Sequence, residues 1–249
     1  MPLTAHLDEL RRRLILSALA LIVAFAALWA SHDWLLDLLA APLPTRYEDT
    51  ILTLSPTEPF FTTLKVVFWA SLIAALPVWL YQAYAFVVPA VSDQSRRRSL
   101  LVVAGLSLLF VAGVAFGYFV VLPVALDFLL GFGDETFNVQ LRAGEHYGFA
   151  TMMLLGSGFL FEVPAAMLAF ARLGIVTAAI YRRQWRVALV AIAVIAAILP
   201  GGDPFSMLLL MLPQILLYSL GIWLAHLFGG PPVWDRAAWR ADEEPEATA

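Results

Sequence analysis

The chain has 249 residues, 61% of them hydrophobic and 14% charged, with a mean hydropathy of +0.83 and a formal net charge of −4. Soluble domains carry about 25% charged residues, so this chain has too little polar surface to cover a globule and reads as a polytopic membrane protein. The arginines fall in separated clusters, which leaves nucleic-acid binding without support, and with no cysteine at all disulfides and thiolate metal sites are excluded.

Residues 1–13 are expected to form a cytoplasmic amphipathic leader, with "HLDELRRRL" at residues 6–14. Leu3, Leu7, Leu10 and Leu14 fall on one helical face, with Asp8, Glu9, Arg11 and Arg12 away from it. The leader is either a membrane-surface anchor or a receptor for a cationic peptide. In the second case Glu9 would take guanidinium bidentately, a geometry lysine cannot reproduce.

Crossing the hydrocarbon core takes about 20 apolar residues. The first candidate runs over residues 14–30 and on through Trp34. Asp8 and Glu9 in the leader, with an apolar run longer than a signal-peptide core, favour a retained helix. Further spans are expected at about 62–89, 99–128, 147–170, 185–200 and 206–228, six in all over residues 14–228. The fifth is short and requires a thinned bilayer or shielding by protein. The tail, 229–249, is acidic and expected to be disordered.

Twelve of the fifteen basic residues lie in the leader, the loops 96–98 and 172–186, and the tail. By the positive-inside rule these segments and both termini are cytoplasmic. Between the first two spans Ser55-Pro56-Thr57-Glu58 has capping-box spacing, so a helix is expected to start there and continue into span two. Pro77, Pro89, Pro123, Pro164, Pro200 and Pro213 punctuate the spans and favour a bent, concave bundle. "GVAFG", residues 113–117, is a small-xxx-small pattern that allows close helix packing.

Glu162 lies about 12 Å from the inner end of span four. It is either a carboxyl bonded to a neighbouring helix or a polar group that lines a cavity or meets a partner's helix. Gly156-Ser157-Gly158 with His226 imitates an intramembrane serine protease. Their depths differ by about 15 Å in straight helices, which denies the pair hydrogen-bond contact. The histidines show no metal-ligand spacing, and no cofactor is expected.

In order along the chain, "HLDELRRRL", "SPTEPFFTTLKV", "LPVWLYQAYAFVVPA", "FGYFVVLPVALDF", "FLFEVP" and "LPGGDPFS" resemble the TatC family, the polytopic receptor subunits of twin-arginine protein translocases. The resemblance covers residues 3 to about 228. It implies an all-α membrane protein: a kinked, cup-shaped bundle of six transmembrane helices, N-in and C-in, with a helical outer cap. It also implies a non-enzymatic role in a bacterial inner membrane, binding twin-arginine signal peptides of folded proteins at the cytoplasmic face. Transport would be driven by the proton motive force, with TatA- and TatB-type single-span partners, self-association and membrane lipid around the complex.

By position Glu9, Arg11 and Arg13 match the family's signal-recognition residues, and Phe86 and Pro89 lead into a loop that also contacts the signal. Pro59 and Phe60 match the outer cap motif, Glu162 the mid-membrane glutamate, and Asp203 the acidic residue of the last outer turn. The chain departs from the family pattern at Ser95, where a glutamate is usual; either Asp93 replaces it or that half-site is weakened. Met207 and Ser219 stand at polar partner-contact positions, with Gln214 and Tyr218 as the available replacements. Two other readings stay open: a secondary transporter or proton channel using Glu162, and a divergent TatC-like scaffold.

Overall fold

The computed structural model describes residues 3–87, 96–132, 139–198 and 203–230. Five helical stretches are long and apolar enough to cross a membrane: Leu7–Ala30, Glu58–Phe86, Val102–Gly131, Ala143–Arg172 and Pro204–Phe228. A sixth, Trp185–Ile198, is apolar but only 14 residues long, about 21 Å against a core of about 30 Å. Many large apolar side chains remain exposed, Leu14, Ile22, Leu108, Phe119, Val190 and Leu216 among them. Apolar exposure on this scale is what a lipid-facing surface requires. The chain divides into two compact units, Met1–Gly158 and Phe159–Ala249.

In the first unit α1 (Leu3–Ala30) carries the leader and the first span as one helix. It ends earlier than the apolar run suggests. Ser31 leaves helical geometry, its hydroxyl bonding back to the Ala27 carbonyl, and α2 (His32–Ala40) starts anew. A 3-10 turn, Thr45–Thr50, leads to the two-residue strand β1 (Ile51–Leu52). β1 pairs in parallel with β2 (Leu141–Arg142), joining Ile51 to Leu141 and Leu52 to Arg142.

α3 (Glu58–Val87) packs antiparallel along α1. Arg13 meets Gln82, the Trp79 indole donates to the Ser17 carbonyl at 3.0 Å, and Trp29 sits edge-on to Phe60. The nearly constant sum of paired residue numbers is the signature of antiparallel helices in continuous contact. α4 (Arg96–Phe116) passes through a π-helical turn, Gly117–Val121, into α5 (Leu122–Gly131). The widened turn falls just before Pro123, which has no N–H to give the ladder. Gly117, the second glycine of the small-residue pattern, is in close contact, since a Cβ there would lie 2.8 Å from Ser157. Leu76, Phe110 and Leu155 join α3, α4 and α6 (Ala143–Phe161) in a buried cluster.

In the second unit the expected fourth span proves to be broken. α6 stops at Phe161 and α7 (Val163–Arg172) begins after Glu162, because Pro164 cannot donate to the carbonyl four residues back and its ring crowds it. Gly174, at φ 73°, closes α7: Ile175 N–H reaches the Phe170 carbonyl and Gly174 N–H the Ala171 carbonyl. α8 (Ala178–Arg183) is capped by Thr177, and α9 (Trp185–Ile198) precedes α10 (Pro204–Phe228). On α10, Ser206, Leu210, Gln214, Gly221 and Ala225 form the buried face, while Leu208, Leu212, Leu216 and Leu220 form an exposed one.

Candidate functional site

The leader carboxylate sits where α1 meets the end of α3. Arg13, one turn on from Glu9, donates from Nε to Glu9 Oε1 at 3.1 Å and also from Nη2. Its Nη1 donates to Gln82 Oε1 at 3.3 Å. Both bonds to Glu9 therefore fall on Oε1, and Oε2 has no partner among the described residues. The Glu9 side chain keeps 29% of its surface exposed and Arg13 20%. The result is a half-satisfied, accessible carboxylate with its guanidinium held from behind. Arg11 on the same helix is exposed, and Phe86 is half-buried near the end of α3. Pro89, Asp93 and Ser95 lie outside the described residues.

A second polar cluster forms at the opposite end of α3. The expected capping box is displaced: α3 starts at Glu58, and Glu58 Oε2 accepts the Leu54 N–H at 2.9 Å rather than that of Ser55. The reach-back is the one a capping box uses, shifted by one residue. Pro59, as the second helical residue, forfeits only a donor that helix starts leave unpaired. Glu58 Oε1 accepts from Arg142 Nε at 2.8 Å and from Gly144 N–H at 3.2 Å. β2 brings Arg142 there, so the cluster ties the start of α3 to the start of α6. Phe60 is exposed and stacks edge-on against Trp29 and Phe61.

In the second unit Glu162 is half-buried at the break between α6 and α7, where its carbonyl accepts the Ala166 N–H at 2.9 Å. Asp203 caps α10, its Oδ1 accepting the Ser206 N–H at 2.7 Å. Tyr218 donates to the Tyr181 carbonyl at 2.8 Å, and Tyr181 donates in turn to the Met167 carbonyl. Burial, with Tyr218 beside it, raises the Tyr181 phenol above its ordinary range and keeps it a donor. Gln214 is 1% exposed, and neither end of its amide is bonded among the described residues. Ser219 is exposed and returns its hydroxyl to the Ile215 carbonyl.

Thus α1 and α3 join Glu9, Arg13 and Gln82, while α10 carries Gln214 and Tyr218 and is capped by Asp203. Gln82 and Arg142 were missed by sequence reasoning. A glutamine inside the apolar "LYQAY" was the available signal for the first; nothing local pointed to the second.

These features define a multi-pass helical membrane protein with polar groups at helix ends, at a helix break and on the buried face of α10. The family model of the Sec-independent protein translocase protein TatC matches residues 5–213. The TatC protein of Deinococcus radiodurans is 36% identical over 233 residues, covering 91% of this chain and 86% of that protein. Its Escherichia coli counterpart is 34% identical over 231 residues, covering 92% and 90%. A crystal structure of a twin-arginine translocase receptor, TatC, superposes with a TM-score of 0.81 at 32% identity, covering 88% of this chain and 99% of that one. The chain belongs to the TatC family and is a component of a protein translocase, with a role in transport.

Proposed function

We propose that the chain is the signal-peptide receptor of a twin-arginine translocase, with both termini on the cytoplasmic side of a bacterial inner membrane. Glu9 receives an arginine of the signal. Arg11 and Arg13, with Phe86 near the end of α3 and Pro89 and Asp93 beyond it in the sequence, complete the recognition surface. The observation that carries this reading is the state of Glu9: Oε1 already holds a guanidinium, and Oε2 is left for another. When an incoming arginine takes both oxygens, Arg13 swings onto Gln82, which already accepts its Nη1. A lysine offers one point donor in place of the planar fork and gains less.

The partners are TatA- and TatB-type single-span subunits together with further copies of this chain, and the energy source is the proton motive force. Glu162, at the helix break, and the Gln214 amide are assigned to contacts with partner helices. Tyr218 holds α10 to α8 beside them, Pro59 and Phe60 form the outer cap, and Asp203 fixes the last outer turn.

Complementation tests the assignment. In a strain lacking its own TatC, the chain should restore export of a folded twin-arginine reporter. Glu9→Gln should lower that export at least tenfold, since each hydrogen bond to a charged group contributes about 1.5–3 kcal/mol. Undiminished export by the variant would remove Glu9 from the mechanism.

A further inference from the structure

Two cavities of the first unit meet at Lys65. One, of about 390 Å³, is polar and includes Ser55, Thr57, Arg142 and Glu145 in its lining. The other, of about 500 Å³, runs between α3 and α6 over Val66, Phe68, Trp69, Gly148 and Met152. Thr62, Lys65 and Gly144 line both, so the two are continuous. Polarity falls along the cleft with depth. Lys65 lies about 10 Å below the start of α3, and Trp69 about 6 Å deeper.

The charges are unevenly matched. Glu58 is taken up by Arg142 and two backbone N–H groups, and Glu145 stands 3.7 Å from the same Arg142. Lys65 is exposed and has no hydrogen-bond or ion-pair partner among the described residues. The groove floor is empty at Gly148, where a Cβ would meet nothing within 4 Å.

We propose that this cleft is a binding site for an anionic phospholipid of the leaflet on the Glu58 side. The phosphate is held by Lys65 beside the Thr62 hydroxyl, and the headgroup lies in the polar cavity. One acyl chain follows the groove over Gly148 toward Met152. A lipid matches the polarity of the cleft, which is polar at the Glu58 end and apolar beyond Lys65. An acyl chain is narrow enough to enter, and an unpaired cation at the mouth selects for a negative headgroup.

Native mass spectrometry of the full-length chain in detergent reads the site directly. Phosphatidylglycerol and phosphatidylcholine with the same acyl chains are compared, with glycerol phosphate as the control for an anion without chains. Phosphatidylglycerol should be retained about fivefold better than phosphatidylcholine, the worth of one lysine near a membrane surface, and glycerol phosphate should not be retained. Lys65→Gln should lower retention of both lipids, phosphatidylglycerol more than phosphatidylcholine, and so abolish the preference. Gly148→Leu, which points into open space and leaves the fold intact, should lower retention of both lipids. Equal retention of the two lipids by the unsubstituted chain, a preference that survives Lys65→Gln, or glycerol phosphate binding as well as the lipid would overturn the proposal. So would unchanged retention of both lipids by Gly148→Leu.

Discussion

Several polar side chains in this protein act on backbone N–H groups that would otherwise go unpaired. Asp203 takes the Ser206 N–H, Thr177 the Ile180 N–H, and Glu58 the N–H groups of Leu54 and Gly144. Each supplies an acceptor at a helix start or, for Leu54, in the turn that leads into one. Asp203 was legible as the acidic residue of a tight turn; its role as the cap of α10 needed the geometry. Asp203→Ala should cost about 1 kcal/mol, seen as a lower melting temperature in detergent, with Asp203→Asn close to the unsubstituted chain. Equal loss in both variants would mean the charge, not the cap, is what matters. The Glu58–Arg142 contact was not legible, because its partners are 84 residues apart and meet through a strand pair of two residues each. Two residues are too few to show the alternation by which a strand is recognised.

At the level of elements, apolar run lengths placed the long helices well, since crossing a bilayer demands length and hydrophobicity together. Their ends and breaks depended on single residues. Pro164 divides the fourth span at Glu162, and Ser31 ends α1 short of Trp34. Which face of α10 is buried could not be read from composition, because both faces are apolar apart from Gln214 and its neighbours. Small residues decide it: Gly221 lets α10 approach α7 so closely that a Cβ there would lie 2.5 Å from Met167 Sδ and 3.2 Å from Pro164 Cα. Gly221→Ala should therefore destabilise the second unit by about 1–3 kcal/mol. Met167→Ala in the same chain should recover part of that loss, because the sulfur is the nearer obstacle. Additive losses in a double-mutant cycle measured by thermal unfolding would show that the two residues do not compete for the same space.

For the molecule as a whole, composition was enough to establish a membrane protein, and six short motifs in chain order were enough to suggest the family now shown by the comparisons. The proposed receptor surface was only partly legible. Glu9 and Arg13 stood out as charges in the leader, whereas their tie to Gln82 spans 69 residues and appears only when α1 lies along α3. The central claim is that Glu9 reads a guanidinium, and the affinity of the purified chain for synthetic signal peptides tests it most directly. Paired arginines should bind at least tenfold more tightly than paired lysines, and Glu9→Gln should shrink that ratio toward one. Equal affinity for the two peptides, or a ratio that Glu9→Gln leaves unchanged, would contradict the account.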